Sequence, residues 1–144
     1  MTWYYNDEVF ESEHIQDYFG FVYQITDLSN NKKYIGKKWF WSTVRRPPLK
    51  GNKRKRTIKK ESDWQKYYGS SDEVKLLVEQ HGPDQFKREI LRLCRSKGEC
   101  TYWEAKLQFE LDVLLRDDYY NEFIGCKIHS KHVRHMNDEQ DSMV

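Results

Sequence analysis

Apolar and polar positions alternate in three short stretches of the chain, and this alternation predicts three β-strands. The stretches run from Phe21 to Thr26, from Lys33 to Ile35 and from Gln85 to Leu93. In each of them, residues two positions apart share a face, as the pleat of a strand requires. The segment 27–31, DLSNN, separates the first two stretches, and its Asp and Asn residues favour a turn. The first two strands are therefore predicted to form a β-hairpin.

Helical spacing of apolar residues appears in later segments. The predicted helix Asp72–Gln80 follows a serine that can cap it and stops before Gly82. A longer helix opens at the Ser-x-x-Glu pattern of Ser96 and runs to about Arg116. Lys37 to Val44 is a further candidate helix, which the following prolines would end. The predicted fold is α/β (α+β), with a small, mostly antiparallel three-stranded sheet flanked by helices.

Basic residues are concentrated in one part of the chain. The whole chain carries a net charge of only +2, with 25 Lys and Arg against 23 Asp and Glu. No Asp or Glu occurs from Leu28 to Lys60, whereas this stretch holds 13 of the 25 basic residues. The rest of the chain has 12 basic and 23 acidic residues, a net charge of −11. This distribution indicates one cationic face directed at a polyanion, most often nucleic acid.

One domain is the simplest organisation for 144 residues. We expect an N-terminal extension at residues 1–19, a folded domain at 20–128 and a flexible tail at 129–144, which lacks apolar periodicity. A basic insert at residues 45–60 interrupts the domain, and its part from Leu49 to Lys60 is predicted to be a charged loop. A solvated loop without function is the alternative interpretation of this segment.

Cysteine content and hydropathy argue against several classes of protein. The chain has three cysteines, an odd number without CxxC spacing, which argues against a disulfide framework and a cysteine zinc site. No apolar run approaches the roughly 18 residues of a membrane-spanning helix, and the acidic, aromatic N-terminus differs from a signal peptide. The chain is therefore expected to be soluble and cytoplasmic, without a membrane partner.

Two strand triplets and several later motifs follow one another in a characteristic order. The first triplet is Phe21-Val22-Tyr23 and the second is Tyr34-Ile35-Gly36. The later motifs are Gln80-His81-Gly82, Phe86, Glu89-Ile90-Leu91, Glu104 and Tyr120-Asn121. This set, over about residues 20–125, resembles the GIY-YIG nuclease family and in particular its phage homing endonucleases. The first triplet departs from the family name, since Phe-Val stands where Gly-Ile is usual.

The resemblance implies a GIY-YIG-type nuclease fold and a metal-dependent endonuclease that hydrolyses phosphodiester bonds of DNA. It implies a free-standing, phage-encoded enzyme that uses Mg²⁺, with Mn²⁺ as an alternative. By position in the motifs, Tyr23 would help activate water, Tyr34 would orient the nucleophile or the phosphate, and Glu104 would be the catalytic metal ligand. Asn121 is expected to close the long helix onto the sheet through side-chain hydrogen bonds. Without the later motifs, the two tyrosines would be interpreted as cross-strand aromatics that stabilise a hairpin.

The arginine that the family places after the second triplet has no unambiguous counterpart. Arg45 is the preferred catalytic candidate, and Arg46, Arg54 and Arg56 stay open as alternatives. Lys37 directly follows the second triplet, where a lysine can clamp the scissile phosphate. A solvated lysine at a strand end is the alternative interpretation of Lys37.

Other basic residues are expected to neutralise backbone phosphates of DNA without reading its sequence. They are Lys38, Arg46, Lys53, Arg54, Lys55, Arg56, Lys59 and Lys60. The neighbouring Trp39, Phe40 and Trp41 could stack on unpaired bases. Burial in an aromatic cluster is the alternative expectation for at least one of them. Two other functions stay open: a nucleic-acid-binding module on the same fold that does not cut, and a small protein whose basic loop docks on an acidic partner. The oligomeric state is not predicted.

Overall fold

A five-stranded mixed sheet forms the centre of the computed structural model, which describes residues 2–128 and 130–136. Its strands are β1 (Trp3–Tyr5), β2 (Glu8–Phe10), β3 (Gly20–Asp27), β4 (Lys32–Trp39) and, later in the chain, β7 (Phe86–Cys94). Their order across the sheet is β2-β1-β7-β3-β4. A separate two-stranded hairpin consists of β5 (Trp41–Arg46) and β6 (Arg56–Glu61), and the helices are α1 (Asp72–His81) and α2 (Lys97–Glu110).

The predicted α+β class is confirmed, but the predicted number of three strands is wrong. The three predicted strands are the antiparallel part of the sheet that ends at the edge β4, in the order β7-β3-β4. The other two strands come from the predicted N-terminal extension, where β1 pairs in parallel with β7 and antiparallel with β2. Strands of three residues are too short to show alternation in the sequence. Asn6 and Asp7, both at positive φ, form the two-residue turn between them.

The segment after β4 differs from its prediction as well. The candidate helix Lys37–Val44 is wrong, because β4 continues through Gly36 to Trp39 and β5 follows at once. The loop predicted from Leu49 to Lys60 is only partly a loop, since its second half belongs to β6. The aromatic and β-branched residues of β5 favour an extended backbone. The basic insert is therefore an ordered hairpin that projects from the sheet.

Helix boundaries agree with the sequence at their beginnings. The side chain of Ser71 accepts a hydrogen bond from the backbone N–H of Val74 and caps α1, and Ser96 caps α2 in the same way. Helix α2 ends at Glu110 rather than near Arg116, because the backbone turns at Asp112, which has a positive φ. No helix in residues 2–128 and 130–136 has the length and apolarity that crossing a bilayer requires.

Both faces of the sheet are covered, and β4 is one of its two edge strands. One face packs against an aromatic cluster that includes Trp3, Phe21 and Trp64. The other face packs against α2 through residues such as Val22 and Ile35. Strand β3, which lies inside the sheet, is therefore largely buried in both phases of its pleat.

The segment 118–121 covers part of the outer edge of β4. The backbone N–H of Lys33 donates to the carbonyl of Asp118, and the N–H of Tyr120 donates to the carbonyl of Lys33. Asn121 continues this pairing with its side chain, because Oδ1 accepts from the N–H of Ile35 and Nδ2 donates to the carbonyl of Ile35. The predicted side-chain closure by Asn121 is thus confirmed. The edge of β4 is free of this cover beyond Ile35.

A buried arginine fastens the connection between the hairpin and α1. Arg88 on β7 is only 1% exposed, and its guanidinium lies 4.7 Å from the ring centre of Trp3 and 4.3 Å from that of Tyr68. Nη1 donates to the backbone carbonyls of Gln65 and Tyr67 at 2.8 and 2.9 Å. Burial lowers the pKa of Arg88. This side chain holds in place the segment that carries Tyr67.

The predicted flexible tail, residues 129–144, is described only at 130–136, and positions 129 and 137–144 lie outside the described residues. The described part contains a short 3-10 turn at Ser130–His132. It contacts the start of α2, where His135 Nε2 lies 3.5 Å from Glu99 Oε2, and Met136 is buried.

Candidate active site

A cavity of about 480 Å³ lies beside β4, where the cover by residues 118–121 ends. Its walls come from β4, from the start of α1 and the residues before it, from α2 and from the segment 120–125. Three of the predicted catalytic residues line it, namely Tyr34, Lys37 and Glu104. These residues are far apart in sequence, and the packing of α2 on β4 brings them together.

Lys37 and Glu104 form an ion pair across the cavity wall. Lys37 Nζ lies 3.2 Å from Glu104 Oε1, and the Glu104 side chain is 14% exposed. Burial raises the pKa of Glu104, and the charge and hydrogen bond of Lys37 oppose that rise. Gln108, one turn further along α2, fixes the helix against the sheet by donating to the carbonyl of Ile35. Glu104 is therefore held rigidly at the edge of β4.

The hydroxyl group of Tyr34 is also held in place. It lies 2.8 Å from Ser70 Oγ. Ser71 is occupied as the cap of α1, which leaves Ser70 for this contact. Burial raises the pKa of Tyr34, and the hydrogen bond with Ser70 lowers it. At neutral pH the phenol is protonated and can donate or accept one further hydrogen bond in the cavity.

Tyr23 lies behind the cavity wall and is fully buried, at 0% exposure. Its ring centre is 6.2 Å from that of Tyr34 and 5.8 Å from that of Tyr67, and both of these rings line the cavity. Its hydroxyl group has no hydrogen-bond partner among the described residues. Burial, together with the neighbouring Tyr67 and Tyr34, raises the pKa of Tyr23 well above 10. The phenol is therefore neutral, and Tyr67 is the side chain near enough to interact with its hydroxyl group.

Two glycines make room for this hydroxyl group. A Cβ atom on Gly36, the cross-strand neighbour of Tyr23, would lie 2.4 Å from the Tyr23 oxygen. A Cβ atom on Gly69, which has a φ of +92°, would lie 3.4 Å from it. A β-bulge in the pairing of β3 with β7 occurs between Val22 and Tyr23. Such irregularities redirect side chains next to sites.

The donor groups of the cavity fit a divalent cation that binds through one carboxylate. Residues 2–128 and 130–136 contain no cluster of three or more His, Cys, Asp or Glu side chains that could hold an ion by themselves. Magnesium usually keeps several waters and binds through one or two carboxylates plus substrate phosphates. Glu104 Oε1 pairs with Lys37 Nζ, and the Lys37 backbone N–H also faces the carboxylate, so an ion would bind here by sharing or displacing these contacts. Asp72, Glu73 and Glu122 add negative charge around the same cavity.

The structure does not bring the other predicted residues into this cavity. Arg45 lies on β5, where it pairs with Thr57 and is exposed, and it is not among the cavity-lining residues. Lys38 points to the opposite face of β4 from Lys37. Lys38 Nζ lies 2.7 Å from Asp63 Oδ1 and 4.3 Å from the ring centre of Tyr67. The hydrogen bond from Lys38 lowers the pKa of Asp63.

The remaining predicted basic residues lie on the β5–β6 hairpin, and all of them are exposed. They are Arg46, Lys53, Arg54, Lys55, Arg56, Lys59 and Lys60. Directly paired residues of antiparallel strands share a face. The register therefore places Arg45 and Lys59 on one face of the hairpin. Arg46, Arg56 and Lys60 lie on the other, so the hairpin is cationic all round.

The sequence analysis did not assign Tyr67, Ser70 and Gln108 to the site. Tyr67 belongs to an aromatic stretch, and Ser70 lies between the following Gly69 and the capping Ser71. That composition marks a helix start, but it does not tell which serine caps the helix and which faces the cavity. Gln108 stands four residues after Glu104 on α2, so its place on the same helix face could have been predicted.

Comparison with known proteins gives one match. A family model described as "Putative endonuclease segE, GIY-YIG domain" matches residues 3–124. This span includes both strand triplets, every residue placed at the cavity above up to Phe123, and the two N-terminal strands. No curated protein and no solved structure gives a significant match.

Proposed function

The chain belongs to the GIY-YIG endonuclease-domain family, and from this membership, which confirms the resemblance, we propose that it hydrolyses phosphodiester bonds in DNA. One observation carries the proposal: Tyr34, Lys37 and Glu104 line a single cavity, and the unpartnered hydroxyl of Tyr23 lies behind it. A magnesium requirement, a phage origin and action in the host cytoplasm are part of the proposal.

Hydrolysis of a phosphodiester bond has three chemical requirements. A proton must leave the attacking water, negative charge must be balanced on the phosphorus oxygens, and the departing oxygen must receive a proton. We assign the orientation of water and phosphate to the hydroxyls of Tyr34 and Tyr23. Solvent water in the cavity would take the proton of the attacking water and supply the proton of the departing oxygen. Lys37, which is partly exposed, can turn its ammonium group from Glu104 to a phosphate oxygen and balance that charge.

Glu104 is the proposed metal ligand. A bound divalent cation would polarise a phosphoryl oxygen and lower the pKa of a coordinated water. The Glu104 carboxylate is suited to hold this cation because it is largely buried and because the packing of α2 on β4 fixes it in place. Its burial also raises its pKa. Burial makes the ionised form of a carboxylate unfavourable. A nearby cation therefore stabilises a buried carboxylate more than it stabilises a solvated one. Lys37 would then be released toward the substrate.

Arg45 and the other hairpin cations are proposed to contact the DNA backbone. The hairpin begins at Trp41, two residues beyond the end of β4 that carries Lys37. Its exposed guanidinium and ammonium groups are therefore positioned for phosphates flanking the scissile bond, which is where we place Arg45 as well. Contacts of this kind supply affinity without base specificity.

Supercoiled plasmid provides the direct test of this function. We expect the purified chain to produce relaxed or linear DNA in the presence of Mg²⁺ or Mn²⁺ and no product in excess EDTA. Gel electrophoresis over time separates nicking from cutting of both strands. Salt-sensitive DNA binding without product under either metal would show a binding module on a nuclease fold. An absence of DNA binding even at low salt would favour a protein-interaction role.

Removal of two hairpin charges should reduce DNA affinity in a salt-dependent way. In the double variant Arg54→Gln, Lys55→Gln we expect weaker binding of any duplex, and a slope of log affinity against log salt that is shallower by up to about 2. Titrations at several salt concentrations measure this slope. The matched control is Lys75→Gln, Lys127→Gln, which removes two exposed charges outside the hairpin. Equal slopes for the two double variants would refute a role of the hairpin.

A further inference from the structure

A second concave site lies at the base of the hairpin. It is a groove of about 530 Å³ between the end of β4, the hairpin and the start of α2. Three aromatic side chains line it, Phe19, Trp39 and Trp41, and all are half-buried. We call this site the tryptophan groove. Its volume falls in the range of about 300–1,000 Å³ that suits a small organic group.

Charge in the tryptophan groove has one sign. Lys59 and Lys97 line it together with four Ser and Thr residues, and a third lining lysine, Lys38, is paired with Asp63. Of the described residues that line it, none carries a carboxyl group. This composition is unlike that of the catalytic cavity, which four carboxylates line. A ligand with a flat aromatic part and a negative charge matches both properties of the groove.

The lysines are arranged around the aromatic rings rather than away from them. Lys59 Nζ lies 4.6 Å from the ring centre of Trp41, and Lys97 Nζ lies 5.9 Å from that of Phe19. The rings of Phe19 and Trp39 are 5.4 Å apart and tilted by 50°, so they do not close on each other by stacking. Each tryptophan therefore combines a π surface with a nearby cation, as sites for nucleobases and their phosphates do.

The tryptophan groove is joined to the catalytic cavity through one side chain. Lys37 Nζ lies 3.2 Å from Glu104 in the cavity and 5.9 Å from the ring centre of Trp39 in the groove. Trp39 follows Lys37 by two residues and lies on the same face of β4. A nucleic-acid strand with a phosphate at Lys37 could thus place a neighbouring base at Trp39 and Trp41.

We propose that the tryptophan groove binds an unpaired nucleobase of the DNA substrate, with its adjoining phosphate on Lys59 and Lys97. This inference rests on the proposed nuclease function and adds the kind of substrate: DNA with unpaired or displaced bases next to the cleavage position. Cations alone would suffice for an intact backbone, whereas aromatic surface contributes only when a base leaves the duplex stack. The groove therefore favours flaps, bulges or locally opened duplex over fully paired DNA.

The proposal is tested by comparing the affinities of the protein for two DNAs of equal length. The measurements are made in EDTA, which suppresses cleavage. One duplex is fully paired, and the other has a central tract of unpaired thymines. We expect the wild-type protein to prefer the second by about tenfold or more, as base stacking on aromatic side chains provides. Trp41→Leu, which keeps an apolar side chain, should abolish this preference, and Trp41→Phe should retain most of it. Lys53→Gln, in the exposed hairpin loop, should weaken binding of both DNAs and leave the ratio of their affinities unchanged.

Photocrosslinking gives a second readout. It uses the wild-type protein, so its result does not depend on whether a variant folds. A DNA with 5-iodouracil in the unpaired tract should crosslink to Trp39 or Trp41, as identified by mass spectrometry. Equal wild-type affinity for the two DNAs, an unchanged preference in Trp41→Leu, or crosslinks confined to other residues would overturn the proposal. A wild-type protein that cleaves plasmid but shows no preference for the DNA with unpaired bases would overturn this inference alone. A retained preference without cleavage under any metal would overturn the nuclease function instead and support the groove.

Discussion

The substitution Glu104→Gln is expected to lower metal-dependent DNA cleavage by at least about 100-fold while leaving the protein folded. The amide keeps the shape of the side chain and its place beside Lys37, but it removes the negative charge that a divalent cation needs. Initial rates on supercoiled plasmid, at saturating Mg²⁺, measure the effect. Glu110→Gln is the matched control, because Glu110 is an exposed residue of the same helix. Equal rates for the wild type and Glu104→Gln would assign the ion to other residues.

The same variant should be more stable than the wild type at neutral pH. Burial raises the pKa of Glu104 in the folded state despite Lys37, so the ionised form is disfavoured by folding. A group of this kind contributes stability that is fully present below its unfolded pKa, and the contribution is lost as pH rises through the folded pKa. A glutamine at this position does not ionise, so its variant does not lose this stability as the pH rises. The melting temperature of Glu104→Gln should therefore exceed that of the wild type at pH 7, and the gap should narrow toward pH 4.

A reversed order of melting temperatures at pH 7 would contradict this explanation. It would mean that the pair with Lys37 outweighs the desolvation of the carboxylate, so that Glu104 serves the fold as well as the site. Thermal melts of Glu110→Gln over the same pH range separate the effect of burial from a general change in net charge.

The second large effect is expected for Tyr23→Phe, which should lower the cleavage rate by about 100-fold or more without loss of stability. The ring that packs against Trp3, Tyr34 and Tyr67 is kept. Only the hydroxyl is removed, and it has no partner among the described residues. Removing an unsatisfied buried polar group is expected to leave the free energy of unfolding unchanged or raise it by about 1–3 kcal/mol.

Tyr120→Phe is the control that shows what a structural hydroxyl does. The Tyr120 hydroxyl donates to Asp27 Oδ2 at 3.0 Å, so its removal should cost about 1–3 kcal/mol of unfolding free energy. Chemical denaturation of both variants, together with plasmid cleavage rates, gives the comparison. A destabilised but fully active Tyr23→Phe would show that Tyr23 is an ordinary core tyrosine. Gly36→Ala, which crowds the same hydroxyl, should reduce activity as well.

Some features were determined by the sequence alone, and these depend on short-range patterns. The β3–β4 hairpin follows from alternation and from the turn residues between Asp27 and Asn31. The starts of α1 and α2 follow from Ser71 and Ser96, since a cap acts within one helical turn. The family could also be recognised from the sequence, because each of its motifs is a short local segment and the motifs occur in a fixed order.

Other features depended on which surfaces meet and could not be read from neighbouring residues. The strands β1 and β2 are too short to carry a period. Strand β1 joins the sheet by pairing with β7, 85 positions away (Trp3 with Arg88), and β2 joins it through β1. The β5–β6 hairpin is polar on both faces, so it lacks the apolar alternation that marks a half-buried strand. The buried Arg88 is stabilised by backbone carbonyls of a distant segment.

The candidate site divides in the same way. The identity of Tyr23, Tyr34, Lys37 and Glu104 came from motif order and from residue chemistry. Their arrangement came only from tertiary packing, which sets Lys37 Nζ 3.2 Å from Glu104 and buries the Tyr23 hydroxyl beside Tyr34 and Tyr67. A side chain's pKa and its free hydrogen-bonding capacity depend on burial and on the groups that face it. Those properties exist only after α2 has packed on β4.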